Sequence, residues 1–90
     1  MKDIKIIIDK ISDILALDGK EAPDQIGSYI IGATEVQDDI EKHYKKYPLL
    51  NLIADMAWEL ETIKDDAHAG LLLERIEIIF GELKKQVVKE

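Results

Sequence analysis

Apolar residues recur at intervals of three and four through most of the chain, which is the spacing of amphipathic helices. Four segments show this pattern, and short connections containing Gly19, Pro23 and Pro48 separate them. Gly19 is expected to end the first helix with a positive φ. No segment shows the alternation of apolar and polar residues typical of a half-buried strand. The sequence therefore predicts an all-α fold with helices over residues 2–18, 24–46, 49–64 and 67–88.

Four amphipathic helices with short connections bury their apolar sides most simply as an antiparallel four-helix bundle. The chain has 90 residues, which suffice for one hydrophobic core but not for a second. We therefore expect one domain over residues 1–90. An alternative is that the third and fourth helices form a hairpin whose core is completed in a homodimer.

The second predicted helix, 24–46, contains two interior glycines, Gly27 and Gly32. Each costs up to about 1 kcal/mol relative to alanine, so such glycines usually indicate close packing or a bend. A phosphate-binding loop is not expected, because the strand and the lysine of that motif are missing. Asp38 and Lys42 have the spacing of a favourable ion pair on the outer side of this helix.

The third predicted helix carries the only tryptophan of the chain, Trp58. At about 100° per residue, Trp58 lies opposite the centre of the apolar stripe, on the same side as Ala54 and Asp55. Either another helix covers Trp58, since tryptophan is highly buried on average, or Trp58 is an exposed interface residue. The predicted stripe consists of Leu49, Leu52, Ile53, Met56, Leu60 and Ile63, with Leu50 and Ala57 beside it.

The last predicted helix has a second set of apolar residues outside its main stripe. Leu71 and Ile78, seven residues apart, fall on its polar side, as in half of a coiled-coil seam. Asp65 or Asp66 is expected to cap the start of this helix by accepting hydrogen bonds from free backbone N–H groups. The main stripe, which should face the core, consists of Leu72, Ile76, Ile79, Phe80, Leu83 and Val87.

The chain is acidic, with a net charge of −7 from 12 basic and 19 acidic residues. Binding to nucleic acid is disfavoured, because it requires a basic surface that neutralises phosphates. The acid is concentrated in residues 51–74, where Lys64 is the only base against six acids, a local charge of 1 − 6 = −5. A basic partner would be attracted to this part of the molecule.

Neither a membrane protein nor an enzyme is expected. No apolar run is long enough for a membrane span, and the N-terminus does not resemble a signal peptide, so we expect a cytoplasmic protein. There is no cysteine, and His43 and His68 lack the spacing of metal ligands and are interpreted as surface residues near acids. No nucleophile has a neighbouring base by spacing. We therefore predict no catalytic site, no metal and no cofactor.

The polar side of the third helix combines like charges with Trp58. Asp55 and Glu59 are four residues apart, as are Glu61 and Asp65, and each pair is unfavourable by about 0.2–0.5 kcal/mol in an isolated helix. A basic partner would make these charges favourable. The candidate partner-binding residues are Trp58, Asp55, Glu59, Glu61, Asp39 and Glu35.

In size, charge, helical content and the group Asp55, Trp58 and Glu59, the chain resembles the small acidic helical immunity proteins that neutralise bacterial nuclease toxins. The tyrosine-rich acidic loop of the colicin-nuclease immunity proteins is missing. The resemblance implies a cytoplasmic non-enzyme that binds one basic toxin domain and blocks its active site by mimicking the charge of nucleic acid. The alternative from the residues is a helical assembly or regulatory subunit that self-associates through Leu71, Ile78 and Trp58.

Overall fold

The computed structural model describes the backbone of residues 2–88 and the side chains of residues 4–88. This part of the chain is helical, with no strand and a single isolated bridge between Asp18 and Glu21. The all-α prediction is confirmed, but five helices are present where four were predicted. They are α1 (Lys2–Leu15), α2 (Pro23–Glu35), α3 (Ile40–Lys46), α4 (Pro48–Thr62) and α5 (Asp66–Val88).

The predicted helix over residues 24–46 is divided into α2 and α3 by a turn at residues 36–39. Asp39 has a φ of 62°, in the left-handed region. A straight helix would place Tyr47 about 100° around the axis from Ile30, and His43 still farther away. All three are buried, so the chain must turn between them, and aspartate, a weak helix former, accommodates the break.

The first helix ends earlier than predicted, at Leu15. The backbone N–H groups of Lys20 and Glu21 both donate to the carbonyl oxygen of Leu17, at 2.8 and 2.9 Å, which closes a tight turn. Gly19 lies in this turn with a φ of 87°, so the predicted positive φ is confirmed. The stripe of α1 is buried at Ile4, Ile7, Ile8 and Ile11.

Helices α2 and α4 approach each other closely at Gly27. A Cβ atom at Gly27 would lie 2.8 Å from the carbonyl oxygen of Ala57 and 3.2 Å from the Cβ of Leu60. The prediction of close packing is confirmed for Gly27 and wrong for Gly32, which has nothing within 4 Å of that position. Tyr29, also in α2, is exposed.

The buried side of α4 is rotated from the predicted stripe. Leu52 is exposed, whereas Ala54, predicted on the polar side, is buried. The close approach of α2 explains the difference, because small side chains at Ala54 and Ala57 are what allow the two helices to come together. Buried residues of α4 are Leu50, Ile53, Ala54, Ala57 and Leu60.

Helix α5 is oriented as predicted, with its main stripe against the core and with Leu71 and Ile78 exposed. Asp65 precedes α5 and accepts a hydrogen bond from the backbone N–H of Ala67 at 3.2 Å, so the predicted cap is confirmed. Helix α5 packs against α4 and α1, and α2 packs against α1 and α4. One continuous core of residues from α1, α2, α4 and α5, together with Tyr47, fills the space between them.

Candidate protein-binding surface

Trp58 lies on the outer side of α4, with half of its side chain accessible to solvent. Its neighbour Ala57 is completely buried, so the direction of Trp58 follows from the way α4 packs against α2. No helix within the described residues covers the indole ring. Trp58 therefore presents a large apolar surface to solvent, which decides between the two alternatives that the sequence left open.

Asp55 and Glu59 are exposed beside Trp58 on α4. At about 100° per residue they lie about 40° apart around the helix, and Asp55 lies about 60° from Trp58. Within the described part of the chain, neither carboxylate forms a salt bridge. Asp55, Trp58 and Glu59 are called the Trp58 surface below.

Glu35, at the end of α2, and Asp55 of α4 both act on the buried hydroxyl of Tyr44 in α3. Burial raises the pKa of the Tyr44 hydroxyl, and the negative charges of Glu35 and Asp55 raise it further, while the hydroxyl of Thr34 opposes the shift. Both carboxylates therefore lie within electrostatic range of Tyr44. Glu35 and Asp55, which are far apart in sequence, thus act on the same hydroxyl group.

The other two predicted residues are placed differently. Asp39 lies at the start of α3, where its Oδ1 atom is 3.9 Å from the Nζ atom of Lys42. The helix break therefore replaces the predicted pair of Asp38 with Lys42 by a pair that uses Asp39. Glu61 is exposed on the side of α4 that faces Gly27, about 160° around the helix from Glu59. Neither Asp39 nor Glu61 belongs to the Trp58 surface.

A groove of about 350 Å³ between α4 and α5 borders the Trp58 surface at Glu59. It is partly apolar and has charged residues from both helices at its edge. The sequence pattern did not indicate this groove, because it depends on which sides of α4 and α5 meet. The groove is lined by Met56, Glu59, His68, Leu71, Leu72 and Arg75.

The two histidines occupy opposite environments. His68 is exposed as predicted, but the prediction of a surface position is wrong for His43, which is completely buried. The turn before α3 directs His43 toward the core. Both ring nitrogens of His43 lack a hydrogen-bond partner within the described residues, and these residues contain no group of three or more His, Asp or Glu side chains that could hold a metal ion.

A pair of carboxyl groups joins the α1–α2 turn to α5. Contact with the Asp18 carboxyl, together with burial and the charge of Glu74, raises the pKa of Glu77 from 4.5 to about 7. The Oε1 atom of Glu77 is buried and has no hydrogen-bond partner within the described residues. Two carboxylates are both acceptors, so a proton on Glu77 is needed for a hydrogen bond between them.

No family model matches this chain, and no curated protein or solved structure matches it either. None of the helices within residues 2–88 is long and apolar enough to cross a membrane.

Proposed function

We propose that this protein is a non-enzymatic, cytoplasmic inhibitor of the immunity or antitoxin kind, which binds and neutralises a basic, nuclease-like toxin domain through the Trp58 surface. The observation that supports this most directly is the half-exposed Trp58 beside two exposed carboxylates on the same helix. Within the described residues these carboxylates have no cation of their own. The basic partner would supply the positive charges that pair with these carboxylates.

The chemistry of the Trp58 surface suits a protein partner with a positive surface. Tryptophan is enriched among the residues that dominate binding energy, because a single ring removes a large apolar area from water. The carboxylates of Asp55 and Glu59 would attract the partner and fix its orientation. Glu35 would extend the contact, whereas Glu61 and Asp39 would act at long range from its edges.

The proposal includes a rigid scaffold in which the four longer helices form an antiparallel four-helix bundle and α3 belongs to the connection between α2 and α4. Gly27, near the start of α2, meets Ala57 and Leu60 near the end of α4. The groove residues likewise join the end of α4 to the start of α5. Such a bundle would hold Trp58 in place before the partner arrives, which lowers the entropic cost of binding.

The test uses matched variants as baits in cell extract from the native host. Asp55→Asn/Glu59→Gln removes two charges from the Trp58 surface, and the control Asp9→Asn/Asp13→Asn removes two exposed charges from α1. Trp58→Ala is matched by Val36→Ala, because Val36 is 70% exposed at the turn after α2. We expect a basic protein to bind the wild type and both controls, and to be lost from both variants of the Trp58 surface.

Two further results must follow if the protein is an inhibitor. The association rate with the captured partner should fall steeply with salt concentration, because the attraction between exposed charges is screened. Expression of the partner alone should arrest growth, and co-expression of the wild type, but not of Trp58→Ala, should restore it. Equal capture by the variants and their controls, or a partner without toxicity, would contradict the proposal.

A further inference from the structure

Helix α5 exposes two large apolar residues on the side that faces away from the core. Leu71 is 58% exposed and Ile78 is 69% exposed. They are seven residues apart and therefore lie on one line along the helix, two turns from each other. The charged residues Glu74 and Arg75 lie between them, and both are exposed. We call Leu71, Glu74, Arg75 and Ile78 the α5 ridge.

The molecule has a depression beside each apolar residue of the α5 ridge. The groove between α4 and α5 lies beside Leu71 and includes Arg75. A second depression, of about 390 Å³, lies beside Ile78 and is lined by Glu74 and Glu77. The ridge therefore places Arg75 at one depression and Glu74 at the other.

The α5 ridge of one molecule is complementary to the α5 ridge of a second, antiparallel molecule. A twofold axis between residues 74 and 75 of two antiparallel α5 helices places residue 71 opposite residue 78, and residue 74 opposite residue 75. Leucine then meets isoleucine twice, and glutamate meets arginine twice. A parallel arrangement in the same register would instead place Arg75 against a second Arg75. Twofold self-complementarity of this kind is what a symmetric dimer requires.

We propose that the protein forms a symmetric homodimer in which the α5 ridges of two copies pack antiparallel, with Leu71 against Ile78 and Arg75 against Glu74 of the second copy. The Arg75 guanidinium of each copy then meets Glu74 at the edge of the depression beside Ile78 of the second copy. Arg75 forms no salt bridge within the described residues, so dimerisation need not break an ion pair among them.

The dimer goes beyond the proposed inhibitor function and leaves Trp58 itself free, whereas Glu59 shares the groove with Leu71 and Arg75 and lies at the edge of the dimer contact. Around α4, Trp58 lies about 100° from Glu59, the residue that faces α5. Each dimer would therefore carry two separate partner-binding surfaces. A stable interface usually buries about 800 Å² on each subunit. One face of a single helix buries less area than this, so we expect a weak dimer with a dissociation constant of about 10–100 μM.

Sedimentation velocity of the intact chain tests the dimer and its register together. The wild type should change from monomer to dimer between about 1 μM and about 1 mM. Arg75→Glu and Glu74→Arg each bring like charges together and should weaken the dimer about tenfold. The double variant Glu74→Arg/Arg75→Glu exchanges the two charges and should restore the wild-type dissociation constant.

A second pair of variants tests the apolar contact. Ile78→Asp should abolish the dimer, whereas Val36→Asp, at an equally exposed position far from α5 in sequence, should leave it unchanged. Circular dichroism of each variant checks that the helices are retained. The proposal is wrong if the wild type is monomeric throughout, if the charge exchange does not restore association, or if Val36→Asp is as disruptive as Ile78→Asp.

Discussion

Individual polar residues in or near the core are the least predictable feature of this protein. His43, Thr34 and Glu77 all have polar atoms removed from solvent. Thr34 satisfies its hydroxyl locally, by donating to the carbonyl oxygen of Ile30 at 3.1 Å. The buried nitrogens of His43 and the buried Oε1 atom of Glu77 have no hydrogen-bond partner within the described residues. Each residue therefore leads to a testable effect on stability.

Replacing His43 with leucine should stabilise the fold. The imidazole is completely buried and its two nitrogens have no partner within the described residues. An unsatisfied buried polar group costs about 1–3 kcal/mol, and leucine occupies a similar volume without that cost. We expect the free energy of unfolding in urea to rise by about 1 kcal/mol for His43→Leu. The exposed control His68→Leu should change it little, and a loss of stability for His43→Leu would show that the imidazole is hydrogen-bonded.

Glu77 should make the fold less stable as the pH rises. Its pKa is about 7 in the folded protein and 4.5 in the unfolded chain, so between these values the folded state holds the extra proton. The stabilisation is complete below about pH 4.5 and is lost as the pH rises through 7. After allowance for solvent screening, the change is about 1–2 kcal/mol.

Glu77→Gln tests this pH dependence directly, because an amide can donate to Asp18 at any pH. The urea midpoint of the wild type should fall between pH 5 and pH 8, and that of the variant should fall less. The control Glu82→Gln lies on the same helix, where Glu82 forms an exposed salt bridge with Lys85. If Glu77→Gln and Glu82→Gln show the same pH dependence as the wild type, Glu77 is not the titrating group.

At the scale of the helices, the contact between α2 and α4 determines which side of α4 is exposed. The two backbones approach at Gly27, and the small residues Ala54 and Ala57 occupy the interface. Periodicity predicted that α4 would be amphipathic and that Trp58 would face outward. It placed the buried side wrongly, with Leu52 inside and Ala54 outside, because it weights residues by hydrophobicity and cannot recognise where small size is needed.

The two glycines of α2 should respond oppositely to alanine. Gly27→Ala places a Cβ atom 2.8 Å from the carbonyl oxygen of Ala57, so the helices must separate, and we expect a loss of about 1–3 kcal/mol. Gly32→Ala meets open space, and the better helix propensity of alanine should increase stability by up to about 1 kcal/mol. Thermal unfolding of both variants measures the difference, and equal effects would contradict the close approach at Gly27.

At the scale of the whole molecule, the Trp58 surface brings together charges that do not stabilise the fold. Asp55 and Glu59 repel each other along α4, and Asp55 and Glu35 lie near Tyr44. Most of the candidate surface could be predicted from sequence, because Trp58, Asp55 and Glu59 lie within one turn of a single helix. The effect of Glu35 on Tyr44 depends on the packing of α3, and the groove lined by Glu59 and Leu71 depends on the packing of α4 against α5.

Removing these charges should therefore affect stability and binding in opposite directions. Asp55→Asn/Glu59→Gln relieves a like-charge pair, and we expect the free energy of unfolding to rise by about 0.2–0.5 kcal/mol at low salt. The same variant should lose affinity for the basic partner. Urea unfolding and a binding titration on one protein preparation measure both quantities, and a variant that is less stable would show that the carboxylates have a structural role.

The sequence by itself determined the helical class, the outward direction of Trp58, the exposed pair on α5 and the positive φ of Gly19. These properties depend on residues within a few turns of one another, where helical periodicity and local backbone preference are sufficient. Only the tertiary structure decided the break between α2 and α3, the burial of His43, the rotation of α4 and the contact of Asp18 with Glu77. Each of these depends on how distant segments share one core, and a helix that looks continuous in sequence must turn when its two ends have to bury opposite sides.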